Sequence, residues 1–200
     1  MTHPIPILAS SSPIRAKMLA DAGVSVEQIS PRVDEDAVKA ALLAEGHGPR
    51  EIADALAEIK ATKVSGKSPN RLVIGADQVL EQDGTLFNKP SSPEVAKQHL
   101  KAFSARRHRL ISAAVIAEDG RPVFRAVQSV TLHVRPLSEA FIDDYLSRAP
   151  ASIFDCVGGY QLEGFGAQLF SKVEGDYFTV LGLPLLDILG YLRERGHLIA

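Results

Sequence analysis

Short apolar runs alternate with amphipathic stretches along this chain, and that alternation predicts an α/β protein. Residues 5–9 are apolar, Ser10-Ser11-Ser12-Pro13 breaks the run, and an amphipathic stretch continues to Ala22. This reads as strand, tight loop, helix. Pro13 suits the first helical turn, where its missing N–H would have had no partner, and Gly23 stops the helix. A second strand is predicted over residues 28–33. Residues 36–45 and 49–64 are predicted helices, the second carrying Ile52, Leu56, Ile59 and Val64 at helical spacing, with Gly46-His47-Gly48 between them. The continuous apolar run 72–76 marks a buried strand.

Ser92 caps a helix predicted from Pro93 to Phe103. Residues 108–117 and 123–134 read as long strands joined at Glu118-Asp119-Gly120. Ser138 opens a further helix, with Glu139 and Asp143 near its positive end. A Gly-rich segment runs to Gly166, followed by a strand over 168–173 and a turn at Glu174-Gly175-Asp176. The last helix starts at Pro184 and ends near Gly196. Alternation interrupted by a central hairpin predicts a mixed α/β sheet flanked by helices. No linker is evident, so a single domain over residues 1–200 is expected, with residues from about 93 to 150 as a lobe.

Hydrophobic residues make up 46% of the 200-residue chain and charged residues 23%, so a packed core is expected and disorder is not. Lys and Arg number 22 against 24 Asp and Glu, a net charge of −2 that provides no global attraction to nucleic acid or an anionic membrane. An anionic ligand must therefore be held by a local cluster of positive charge. Trp is absent and no basic stripe carries interleaved aromatics, so no nucleic-acid partner is expected. The single cysteine, Cys156, excludes an intrachain disulfide and a thiolate-rich zinc site, as expected of a reducing compartment. Residues 1–6 lack the basic start and apolar run of a signal peptide, and no stretch approaches the roughly 20 apolar residues of a membrane helix. A cytoplasmic protein with no membrane partner is expected.

Five groups carry candidate chemistry. Ser10-Ser11-Ser12-Pro13-Ile14-Arg15 turns a strand into a helix through small hydroxyl residues, which suits phosphate, with Arg15 and Lys17 adding charge; the alternative is an ordinary helix cap. Asp77 directly follows the apolar run, so it is expected at the carboxyl end of a buried strand, as metal ligand, as base toward water, or as a turn aspartate. Asp34, Glu35 and Asp36 repel one another unless a cation such as Mg²⁺ is near, or else form a solvated helix start. Lys60 and Lys89 are, taken singly, ordinary surface charges. Gln161-Leu162-Glu163-Gly164-Phe165-Gly166 offers close backbone approach but not a dinucleotide fingerprint. Cys156 and His108 have nothing that pairs them, and an inert thiol is the expectation. Neither a Gly-Lys-Ser/Thr phosphate loop nor a His-Glu-x-x-His motif is present.

In their order along the chain these groups resemble the Maf family of nucleotide pyrophosphatases. The match runs from Ile7 to about Leu189. It includes Ile7-Leu8-Ala9-Ser10-Ser11-Ser12-Pro13-Ile14-Arg15, Val33-Asp34-Glu35, Lys60-Ala61 and Gly75-Ala76-Asp77-Gln78-Val79. Lys89-Pro90, Glu163-Gly164-Phe165-Gly166, Glu174-Gly175-Asp176-Tyr177 and Gly182-Leu183-Pro184-Leu185 follow. The resemblance implies an elongated fold shared with inosine triphosphate pyrophosphatases, a homodimer, and a divalent cation, Mg²⁺ or Mn²⁺. It implies cleavage of nucleoside triphosphates between the α- and β-phosphates, and roles in clearing non-standard nucleotides or in septum formation. Asp77 then resembles the general base; Ser10, Ser12, Arg15, Lys60 and Lys89 resemble phosphate ligands; Glu35 and Asp77 resemble metal ligands.

Three positions bear on the base. Subgroups selective for dTTP and UTP resemble Arg, Thr and Gln there, and those selective for 7-methyl-GTP resemble Trp, Gln and Glu. This chain has Ile14, Gln78 and Glu163, two of the three 7-methyl-GTP residues, and Cys156 and Phe165-Gly166 also look like that subgroup. Glu163 can accept hydrogen bonds from the guanine edge and favours a cationic ring. Ile14 departs from the pattern, since it cannot stack on a cation as Trp does. Ser112-Ala113 stands where Thr-Gly is usual. A nucleotide-binding regulator of division with little catalysis, or a dTTP/UTP-selective enzyme, are the alternatives.

Overall fold

The computed structural model describes residues 3–199; Met1 and Thr2, part of the N-terminal stretch read above, lie outside the described residues. The elements in chain order are β1 (Ile7–Ala9), α1 (Pro13–Asp21), β2 (Glu27–Gln28), α2 (Glu35–Ala44), α3 (Pro49–Ser65), β3 (Val73–Gln82) and β4 (Thr85–Phe87). Then come α4 (Pro93–Phe103), β5 (Arg107–Glu118), β6 (Arg121–Val134), α5 (Glu139–Arg148) and two 3-10 turns (Ala151–Asp155 and Phe165–Leu169). β7 (Phe170–Glu174), α6 (Tyr177–Val180) and α7 (Leu185–Glu194) complete the chain.

The seven strands form one sheet in the order β2-β1-β3-β5-β6-β7, with β4 paired to β3. β1 runs parallel to both β2 and β3, whereas β4 on β3 and β7 on β6 are antiparallel. The sheet is therefore mixed, as the interrupted alternation predicts. Asp119 and Gly120 take φ of 49° and 77° at the β5–β6 connection, the left-handed pair that a two-residue hairpin requires.

Three sequence boundaries differ. The strand predicted over 28–33 is only Glu27–Gln28, because Pro31 lacks an N–H and Arg32 sits at φ 47°. The run at 72–76 is the first half of a ten-residue strand. Apolar Val79 and Leu80 extend it, and an antiparallel hairpin through Asp83-Gly84 pairs Leu80–Gln82 with Thr85–Phe87. Asp77 therefore lies in mid-strand rather than at the carboxyl end. The strand predicted over 168–173 starts later, after a 3-10 turn, and Asp176 caps a short helix by accepting from Thr179 N.

Contacts divide the chain into two compact units, one of residues 1–78, 112–128 and 182–200, the other of 79–111 and 129–181. In the first, Ile7, Ala9, Val64 and Val73 pack β1 and β3 against α3. In the second, Leu100 and Phe103 of α4, Ile142 and Tyr145 of α5, and Leu110, Leu132 and Val134 of the strands share one core. The predicted N-caps hold there: Ser92 accepts from Val95 N and Ser138 from Phe141 N.

Candidate active site

The site is built in the first unit, where β1 ends. Ser10 is buried, and its Oγ accepts from Ser12 N at 3.2 Å and from Arg15 Nη1 at 3.2 Å. Ser12 is the N-cap of α1 but its side chain caps nothing, and Pro13 follows it. The first turn of α1 is thus left without a side-chain acceptor, which an anion can replace. Arg15 is fixed by two carbonyls: Nη1 donates to Ala76 O at 2.9 Å and Nε to Gly182 O at 2.8 Å. Gly182 takes φ 98°, and a Cβ there would stand 3.4 Å from the guanidinium. Gln28 braces the loop from β2, its Nε2 donating to Ser10 O at 2.7 Å and Ser12 O at 3.3 Å.

Beside this loop, α3 lies hard against β3. Gly75 makes the approach possible, since a Cβ on it would meet Ala57 O at 2.3 Å and Ala61 N at 2.5 Å. The approach brings Lys60 Nζ within 2.7 Å of Asp77 Oδ1 and 2.7 Å of Glu35 Oε1. Lys60 and Asp77 are almost fully buried, Glu35 about half exposed. Burial raises the Asp77 carboxyl above its ordinary pKa, against the opposing pull of Lys60 and then Arg15. Burial also lowers Arg15, with Asp77 and Glu35 opposing. Two cations and two carboxylates make the cluster electrically neutral on its own.

The structure thus brings together Ser10, Ser12, Arg15, Glu35, Lys60 and Asp77. Of the acidic run, Asp34 is the N-cap of α2, accepting from Ala37 N at 3.0 Å, and Asp36 lies in that helix's first turn. Only Glu35 reaches Lys60. Ile14 is half-buried in α1, and Gln78 donates from Nε2 to Ser112 Oγ at 2.9 Å. Lys89 and Glu163 are exposed residues of the second unit. There His108 Nε2 is bonded to Tyr160 Oη at 2.6 Å, and burial pushes the Cys156 thiol up, which fits an inert side chain. Gln28 and Gly182 escaped the sequence reading as site residues; Gly182 stood within a family-like motif, whereas Gln28 had no local signal.

A hydroxyl loop opening a helix, next to a buried carboxylate–ammonium pair on a mixed sheet, defines an α/β protein equipped to handle phosphate. The family model described as "Maf-like protein" matches residues 6–195, and the chain belongs to that family. It is 54% identical over 196 residues to the "Nucleoside triphosphate pyrophosphatase" of Ruegeria pomeroyi, covering 98% of both chains. It is 52% identical over 198 residues to the protein of that name from Roseobacter denitrificans, covering 99% of both. It is 53% identical over 191 residues to the Caulobacter vibrioides protein, again of that name, covering 96% of both.

Proposed function

We propose that this chain is a nucleoside triphosphate pyrophosphatase that hydrolyses the α–β phosphoanhydride, releasing nucleoside monophosphate and pyrophosphate. The observation that carries the reading is the buried Asp77, held at 2.7 Å by Lys60 beside the Ser10–Arg15 loop. The full-length relatives named above support it. Asp77 takes the proton from the attacking water, and its burial-raised pKa brings it closer to a working base at neutral pH. The α1 N–H groups, the Ser10 and Ser12 hydroxyls and Arg15 hold phosphate oxygens. Lys60 keeps Asp77 oriented.

The residues present fit a divalent cation that the substrate shares. Glu35 and Asp77 both turn an oxygen to one ammonium, so a hard cation finds two carboxylate donors there. No cluster of three or more His, Cys, Asp or Glu ligands exists among the described residues, so a cation held by Glu35 and Asp77 would also need oxygens of the substrate or of water. Because the side-chain cluster is neutral, a triphosphate of about four negative charges needs such added charge. Bound there, Mg²⁺ or Mn²⁺ would stabilise charge developing on the pyrophosphate.

The resemblance of Gln78 and Glu163 to the 7-methyl-GTP subgroup supports a purine with a cationic ring, and Ile14 stands where that subgroup has a stacking Trp. Clearance of modified nucleotides, action in the cytoplasm as a homodimer, and a contribution to septum control belong to the same reading. A pyrophosphate-release screen with Mg²⁺, using canonical triphosphates, 7-methyl-GTP and modified pyrimidine triphosphates, tests it. Release from at least one triphosphate is expected; nucleotide binding without release across the panel would leave the non-catalytic regulator in its place. Ile14→Trp should raise, and Glu163→Gln lower, the preference for 7-methyl-GTP; no change in either removes the purine assignment.

A further inference from the structure

The second unit carries a basic concavity that the hydrolytic reading does not use. It is an open surface concavity of about 680 Å³, lined by Arg106, Arg107, Arg135 and His133 among others, with Asp83 the sole carboxylate in its wall. Three arginines and one acid therefore line it, in a protein whose overall charge is −2. The acid compensates poorly: Asp83 lies 3.7 Å from Arg106 and both are well exposed. His133 Nε2 is 3.4 Å from Glu174 Oε2 without a hydrogen bond between them. Arg107 forms no ion pair among the described residues.

The wall is also organised in advance. Arg135 donates from Nε to Gln168 O at 2.7 Å and from Nη1 to Pro136 O at 3.1 Å, and its guanidinium lies 4.1 Å over the Phe141 ring. A guanidinium so held loses little further freedom on binding an anion. Ala105 sits at φ 57°, a left-handed conformation that alanine adopts at a cost. Its N–H is bonded to Arg135 O at 3.2 Å, and Arg106 O accepts from Val134 N at 2.9 Å. The strained turn thus ties the Arg106–Arg107 segment to the segment bearing Arg135.

We propose that Arg106, Arg107 and Arg135 form a second anion site, which takes a di- or triphosphate chain. Its volume falls within the range of small-ligand sites. Apolar rings for base stacking are missing from the lining, so the ligand is read through its phosphates and not its base. The inference stands apart from the hydrolytic reading, and pyrophosphate release is not its readout.

Calorimetric titration of the whole chain with inorganic tripolyphosphate tests it. The wild type should show a binding event that Arg106→Glu/Arg107→Glu weakens at least tenfold and that Lys60→Ala leaves in place. Arg107→Ala should weaken it less, and unchanged melting temperatures would show that these exposed changes leave the fold intact. Three results would overturn the proposal. They are tripolyphosphate binding indifferent to the charge reversal, loss of all binding in Lys60→Ala, or an oligothymidylate that binds this surface more tightly than tripolyphosphate does.

Discussion

Gly75→Ala is the smallest change that should misalign the active site. A methyl added at Gly75 would stand 2.3 Å from Ala57 O, 2.5 Å from Ala61 N and 2.9 Å from Ala61 Cβ, whereas ordinary contact begins at 3.4 Å. Two of these atoms are backbone, so no side-chain rotation relieves the clash. α3 and β3 must part by about 1 Å, at an overpacking cost of about 1–3 kcal/mol. In a chain of this size that is a fall in melting temperature of roughly 2–12 °C. Lys60 rides on α3 and Asp77 on β3, so their 2.7 Å contact should open beyond hydrogen-bond length. A displacement of about 1 Å can cost up to ~100-fold in rate. The assay is thermal denaturation together with turnover measured far below the variant's melting point, so that misalignment is separated from unfolding. Wild-type stability and wild-type turnover in Gly75→Ala would refute the view that this contact sets the site.

The second unit should be acid-sensitive through His108. Burial depresses the His108 pKa to about 4 in the fold against 6.5 unfolded, so the unfolded chain takes the proton first. Stability from neutral His108 is present above 6.5 and is lost as pH falls toward 4, by up to roughly 3 kcal/mol. Denaturant titrations across that window should show a slope that His108→Gln flattens by one proton; an unchanged slope assigns the sensitivity elsewhere. Gln28→Ala frees the Ser10 and Ser12 carbonyls and should raise KM for triphosphate about fivefold, the value of one net hydrogen bond of ~1 kcal/mol, with little change in melting temperature. An unaltered KM would show that the loop holds its shape without that brace.

Local physics made much of this fold legible. Ser92 and Ser138 read as caps because a hydroxyl before a helical period has one obvious use, and Asp119-Gly120 read as a turn because few residues accept a left-handed pair. The strand expected over residues 28–33 is cut to Glu27–Gln28 because Pro31 lacks an N–H and Arg32 turns left-handed, neither of which the apolar pattern reveals. The apolar run stops at Ala76 and so suggests a strand end at Asp77, while the Asp83-Gly84 hairpin carries the strand to Gln82. Spacing alone did not distinguish Glu35, which reaches Lys60, from Asp34, which caps a helix. Gln28 and Gly182 were invisible as site residues because their partners arrive through tertiary structure, Gly182 from 167 residues away from Arg15.

The most direct measurement is single-turnover pyrophosphate release by Asp77→Asn with saturating triphosphate and Mg²⁺, followed across pH. Loss of a positioned base predicts a fall of about 10²–10⁴-fold with nucleotide binding retained. In the wild type the rate should rise with pH through the burial-raised Asp77 pKa, and that limb should vanish in the variant. Turnover in Asp77→Asn equal to wild type, with the acid limb intact, would contradict the account.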